Sequence, residues 1–204
     1  MEIRVGSSGW SYASWRPGFY PHGTAPADFL RFYACRFDTV ELNSTGYRLP
    51  APDQFERWAD AVPDTFRFAP KLTLTTPERA RLYFARVAKL GSRLGPVRVV
   101  VEQPRDDDLL ARLAEAARGA ELAFDLRHES WAGTAGVVRV NDFASEPFRY
   151  IRLREPPYSD PELEALADRL VAPAYVYFRH ENAPTAPAYA ERLRRLLSGG
   201  RPPG

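Results

Sequence analysis

Three observations predict an α/β fold, and within it a shortened TIM-type (β/α)8 barrel. Short runs of β-type residues recur eight times along the 204 residues. Most are followed by a segment whose apolar residues repeat at helical spacing, and strand alternating with helix reads as a parallel sheet. Strands of that kind are covered by helices and buried on both faces.

The runs are IRVGS near residue 3, TVELN near 39, FRFAPK near 66, VRVVVE near 97 and ELAFDLR near 121, then GVVRVND near 136, FRYIRLR near 148 and AYVYFRH near 174. Asp28 can cap a helix presenting Phe29, Leu30, Tyr33 and Phe37 on one face. Phe55, Trp58, Ala59 and Val62 follow the i, i+3, i+4, i+7 pattern. Thr76-Pro77 and Asp160-Pro161 each read as a cap followed by proline at the first helical position. Asp106 or Asp107 opens a further helix that Gly119 stops, and the last helix carries Leu193, Leu196 and Leu197. The domain so defined covers 1–197, and the Gly- and Pro-rich tail 198–204 reads as disordered.

A barrel of this type usually takes about 250 residues, and the shortage can be located. Only HESWAGTA and a neighbour or two separate the fifth and sixth runs, and roughly FASEP separates the sixth and seventh. A helical crossover needs a dozen residues or more. Wall helices should therefore be missing around the fifth to seventh strands. The outside of the sixth strand would then be open, which points to a homodimer contact near 132–148.

Composition excludes some classes. Apolar residues make up 45% and charged residues 26%, ordinary values for a globular protein. No apolar run approaches the roughly 18 residues of a membrane span, and MEIRVGSSGW shows no signal-peptide pattern. The lone Cys35 fits a reducing cytoplasm and reads as a small buried hydrophobe on a helix. A net charge of +2 is too mild to imply nucleic acid by itself. Only Lys71 and Lys89 are lysines, so the basic residues are almost all guanidinium forks suited to phosphate or carboxylate.

Several blocks look familiar. GSSGWSYASWRPGFYP, FDTVELNSTGYRLPAPDQFERWA, FRFAPKLT, AFDLRHESW, RYIRLR and AYVYFRHENAPTAPAYAERL resemble, in that order, the blocks of the YecE-like family (domain of unknown function 72). The resemblance runs over nearly the whole chain. It implies a TIM-barrel fold and no established reaction. This chain departs from the family pattern at Gly46, where an aromatic residue is usual. It departs again at Glu102-Gln103-Pro104-Arg105, at Arg179-His180 and in the trimmed sequence after AFDLRHESW.

In such barrels the strand C-termini form the site face. Reading each strand end gives Ser8, Trp10 and Tyr12, then Glu41 and Asn43, then Lys71, then Glu102 and Gln103. Asp125, Arg127 and His128 follow, then Asn141 and Asp142, Arg152 and Arg154, and Arg179 and His180. Alternate strand residues share a face, which joins Glu41 to Asn43 and Asp125 to Arg127. The family's E-x-N and [ED]-x-R-H blocks coincide with those two pairs.

Glu41, Lys71, Asp125 and His128 are the catalytic candidates. Ser8, Trp10, Tyr12, Asn43, Arg127 and Arg152 are the substrate-binding ones. Together they suit an enzyme or binder for a small anionic, phosphate-bearing ligand such as a nucleotide or nucleic acid. Cations would hold the anion, a carboxylate or His128 would move a proton, and aromatics would stack. Glu41 and Asp125 could instead form a glycosidase-like pair, or the barrel could bind without catalysis. Glu41, Asp125 and Asp142 could also hold Mg2+ or Mn2+, although their spacing is not diagnostic. The blander reading of Glu41 and Asp125 is a buried ion network with Arg127, Arg152 or Lys71. Trp15 and Trp131 read as lids over the core, and His128 equally as the cap of a short turn.

Overall fold

A computed structural model describes residues 2–73 and 76–199. Seven strands run parallel in two sheets, with helices between them. The first sheet has the order β1 (Ile3–Ser7), β7 (Ala174–Phe178), β6 (Arg149–Leu153). The second runs β2 (Thr39–Leu42), β3 (Arg67–Thr73), β4 (Val97–Val101), β5 (Leu122–Leu126). The sheet edges meet at isolated parallel bridges. Ser8 pairs with Glu41 on one side; on the other, Phe124 pairs with Arg139 and Val140 with Tyr150.

The run at 136–140 thus makes bridges rather than the eighth strand expected of it. Its ladder is cut short from both ends. Gly136 and Asn141 both have positive φ, 77° and 65°, and the Arg139 amide donates to the Ser145 hydroxyl instead of to a neighbouring strand.

The helices are α1 (Phe29–Ala34), α2 (Pro52–Asp60), α3 (Pro77–Val87), α4 (Asp107–Ala117), α5 (Asp160–Arg169) and α6 (Thr185–Leu197). Thr76 caps α3 through the Arg79 amide, and Asp106 caps α4 through the Leu109 amide at 3.0 Å. Helix α4 ends on Arg118 and Gly119, both in the left-handed region. Two caps differ from expectation. Ser159, not Asp160, caps α5, in a reciprocal box with Glu162. Asp28 makes no capping bond, because it ends the 3-10 turn Pro26–Asp28.

Two apolar clusters result. The larger lies between helices and strands, with Phe29, Tyr33, Phe68, Val99, Val176 and Leu193 among its members. The smaller gathers Ala69, Ala123, Val138, Phe148, Tyr150 and Tyr177, so strands of both sheets point alternate residues at one another. Trp15 and Trp131 are fully buried, and their indoles donate to the carbonyls of Glu181 and Gln103. Each pins a strand-end loop to the core. Cys35, expected inside, is exposed: α1 ends at Ala34, and its buried face is Phe29, Leu30 and Tyr33.

Between β5 and β6 the helical structure among the described residues is one 3-10 turn, Glu129–Trp131. Helix α5 reaches part of the expected open wall, the guanidinium of Arg169 sitting 3.9 Å from the Phe143 ring centre, while Val138 and Phe148 are buried in the inner cluster. The large exposed apolar side chains are Tyr47, Leu82 and Val171, none of them in 132–148. Among the described residues nothing there supports the expected homodimer contact. The tail residues 200–204 lie outside those described.

Candidate functional site

The site follows from the register. Ala69, Ala123 and Tyr150 belong to the small inner cluster. The residues two further along the same strands, Lys71, Asp125 and Arg152, fall on the same face. An apolar layer is therefore followed, toward the strand C-termini, by a charged one. Arg98 stands beside Lys71 and Ala123 in the pairing of β3, β4 and β5.

Glu41 is the hub of that layer and is fully buried. Its Oε1 accepts from Arg98 Nη1 at 2.5 Å and from the Tyr150 hydroxyl at 2.9 Å, and its Oε2 accepts from Arg152 Nε at 2.8 Å. Burial pushes the carboxyl pKa up, but the charges of Arg152 and Arg98, with hydrogen bonds from Arg152 and Tyr150, outweigh it. The pKa is held at about 2, against an ordinary 4.5. Glu41 is ionised at any physiological pH.

Asp125, also buried, offers one oxygen to three guanidiniums. Its Oδ2 lies 2.5 Å from Arg154 Nη2, 3.5 Å from Arg127 Nη2 and 3.6 Å from Arg98 Nε. Arg98 Nε makes no hydrogen bond although buried. Arg127 in turn holds Glu102 at 2.9 Å. For Arg154, burial and then repulsion from Arg98, Arg152 and Arg127 outweigh the pull of Asp125, and its pKa is lowered.

Lys71 is buried, 6% exposed. Its ammonium donates to the Tyr47 hydroxyl at 3.2 Å and lies 4.2 Å from the centre of that ring. Among the described residues no carboxylate comes within ion-pair distance of it. Thr45 fixes the backbone here: its one hydroxyl proton has the carbonyls of Leu42 and Lys71 within reach, and its oxygen accepts from the Lys71 amide.

Ser8 and His180 join the ends of β1 and β7. The Ser8 hydroxyl accepts from the His180 amide at 3.0 Å and lies 3.1 Å from Nδ1 of its ring. Tyr12 stacks on that imidazole at 4.6 Å and donates to the Ser8 carbonyl. Burial, then Arg152 and Arg179, lower the His180 pKa below its ordinary 6.5. Burial raises that of Tyr12.

Other candidates go elsewhere. Trp10 packs edge-on against Trp58 at 5.4 Å and near Phe68, in the outer apolar cluster. His128 Nδ1 accepts from the Ser130 amide, capping the turn Glu129–Trp131. Asn43 opens the 3-10 turn Asn43–Gly46, half-buried. A metal site from Glu41, Asp125 and Asp142 is not assembled. The first two are held by arginines and Asp142 accepts from the Ala144 amide, and no group of three metal-binding side chains occurs among the described residues. As a glycosidase pair, Glu41 and Asp125 share Arg98, and a carboxyl held at about 2 does not serve as a proton donor. A cavity of about 790 Å³ lies between α3 and α4, lined by Ala85, Ala88, Leu109 and Ala116, and includes none of the candidates.

Reading the sequence missed Arg98 and undervalued Arg154 and His180. Arg98 was legible in principle, since a charge inside a strand buried on both faces needs a partner.

The family described as "Protein of unknown function DUF72" matches residues 4–146. UPF0759 protein YecE of Escherichia coli strain K12 is 32% identical over 103 residues, covering 46% of this chain and 35% of that protein. The match thus spans about a third of the length of the curated relative. A DUF72 family protein from Thermotoga maritima MSB8 superposes with a TM-score of 0.77 at 22% identity, over 97% of this chain and 100% of that one. One from Enterococcus faecalis V583 gives 0.74 at 17% identity, over 97% and 96%. At those identities the likeness is one of fold. No helix among the described residues is long and apolar enough to cross a membrane.

Proposed function

We propose, for a chain that belongs to the DUF72 family, that its strand C-termini bind a small phosphate-bearing anion. The carrying observation is a surplus of cations. Arg98, Arg127, Arg152, Arg154 and Lys71 stand against Glu41, Asp125 and Glu102. Within that set the carboxylates are all engaged, while Lys71 has no acidic partner among the described residues. Glu41 serves here as the anchor that fixes Arg98 and Arg152, and the ligand meets Lys71, Arg154 and Arg127. In this reading the two sheets and their isolated bridges make up one shortened TIM-type ring, with the ligand on its C-terminal face. The lone cysteine suits a cytoplasmic setting.

A small ligand fits better than a nucleic acid. The loops after the strands also carry Glu102, Glu129, Asp142, Glu155 and Glu181, which would oppose a long polyanion. Hydrolysis of the bound ester is a second reading, favoured by His180: its lowered pKa leaves the imidazole neutral and able to accept a proton.

Titration calorimetry with inorganic phosphate, pyrophosphate and nucleoside monophosphates at low salt tests the binding. Lys71→Met and Arg154→Gln should each weaken it about tenfold or more, in line with loss of one charge-assisted contact. If the wild type takes up none of these anions at millimolar concentration, the reading fails. Absence of turnover of a bound ester in wild type would remove the hydrolytic reading alone, and turnover that survives His180→Gln would remove the role of His180 in it.

A further inference from the structure

Lys71 and Tyr47 form an arrangement that an anion site alone does not require. Tyr47 is 78% exposed, yet its ring covers a buried ammonium. It follows the 3-10 turn Asn43–Gly46, and its amide donates to the Ser44 carbonyl at 3.0 Å. Gly46 makes the approach feasible. A Cβ there would lie 2.9 Å from Lys71 Cδ and 3.0 Å from Cε and Cγ, so the lysine stem lies where a side chain would otherwise be. The ammonium rests on one hydrogen bond of 3.2 Å to a neutral hydroxyl and one ring face. That hold is weak beside a charge-assisted bond to phosphate.

We propose that Tyr47 and Lys71 form an exchangeable pair which selects a phosphate joined to a planar heterocycle, that is, a nucleotide. This rests on the anion-binding reading above. When the phosphate arrives, Lys71 Nζ turns from Tyr47 to the phosphate oxygens. The ring it leaves is exposed, and the base of the ligand stacks on it. Stacking needs only a π face, so the pair favours nucleotides over pyrophosphate or a sugar phosphate without choosing among bases. The small residue at position 46 follows: a larger one would hold Lys71 off the Tyr47 ring.

The test compares affinities for AMP, pyrophosphate and ribose 5-phosphate by titration calorimetry in wild type, Tyr47→Phe, Tyr47→Ala and Arg154→Gln. The readout is the ratio of AMP affinity to that for each other anion. It should be about tenfold or more in wild type, survive in Tyr47→Phe, and collapse toward one in Tyr47→Ala. Arg154→Gln should weaken all three ligands together and leave the ratio standing. Circular dichroism confirms that the Tyr47 variants fold, as expected for so exposed a side chain. If pyrophosphate binds wild type as well as AMP does, or the ratio persists in Tyr47→Ala, the stacking role is overturned while anion binding stands. If wild type binds none of the three, both readings fall.

Discussion

Glu41 has no exposed surface, and a carboxylate there survives only because three donors face it. Removing its charge strands two guanidiniums beneath the strand ends. Glu41→Gln keeps the shape and should cost about 3–5 kcal/mol of unfolding free energy, measured by urea denaturation at neutral pH. A cost near zero would mean that Arg98 and Arg152 find water. The pH dependence has a definite sign. The folded pKa, about 2, lies below the ordinary 4.5, so the ionised pair stabilises the fold above the unfolded value and that contribution fades as pH falls through about 2. The difference corresponds to about 3 kcal/mol. Wild type and Glu41→Gln should therefore converge in stability between pH 4.5 and 2. Much of this residue-level picture was legible. An E-x-N strand end and an [DE]-x-R pair mark acidic residues on an inner face. The sequence named Arg152 among three possible partners and missed Arg98: they lie 111 and 57 positions from Glu41, and nothing local says which of many arginines closes the pair. His128 shows the converse, since the turn beside it could claim its ring as readily as a substrate could, and does.

At the scale of elements, strand and helix order was readable because apolar periodicity and caps are local. Thr76 and Asp106 act through amides three residues away. The segment at 136–140 was misjudged for an equally physical reason. A run carrying three valines in four residues, Val137 to Val140, becomes a strand only if its ends permit a ladder, and here left-handed residues close both ends. Asn141 is the closing piece. Its side chain brackets Arg152, with Nδ2 donating to the Arg152 carbonyl at 3.2 Å and Oδ1 accepting from the Arg152 amide at 2.6 Å. Asn141 thereby splices the missing strand to β6 through its side chain, at the residue that grips Glu41. Asn141→Gly keeps the φ of 65° and loses the two bonds, for a cost of about 1–2 kcal/mol. Asn141→Ala loses them and is also strained there, adding about 1 kcal/mol. Chemical denaturation of both variants separates clamp from backbone: equal costs would exclude the backbone component. Arg152 should loosen in either, visible as faster amide exchange at Arg152 itself.

For the whole molecule, the charged layer matters because it spans the two sheets. Glu41 on β2 holds Arg152 on β6, and Asp125 on β5 holds Arg154 just beyond β6. Backbone pairing between the sheets is limited to isolated bridges among the described residues, so side chains carry much of the joint, the inner apolar cluster together with these ion pairs. An anion seated between Lys71, at the end of β3, and Arg154 would add a further tie across that joint. It should stabilise the chain by simple linkage, about 2.7 kcal/mol at a hundredfold excess over Kd. For a chain of this size that is about 5–11 °C in Tm. Pyrophosphate is the probe, with the same ionic strength of NaCl as control. The shift should shrink sharply in 1 M NaCl, where the Debye length is about 3 Å. Hydrogen exchange gives the more discriminating reading. A ligand that bridges the sheets slows exchange together at Ser8 and Arg179 on one side and at Leu42 and Arg127 on the other. These amides sit where the two sheets present their C-terminal ends. Protection confined to one sheet, or a Tm that pyrophosphate leaves unchanged, would mean that the surplus of cations is balanced by solvent and that the joint closes without a ligand.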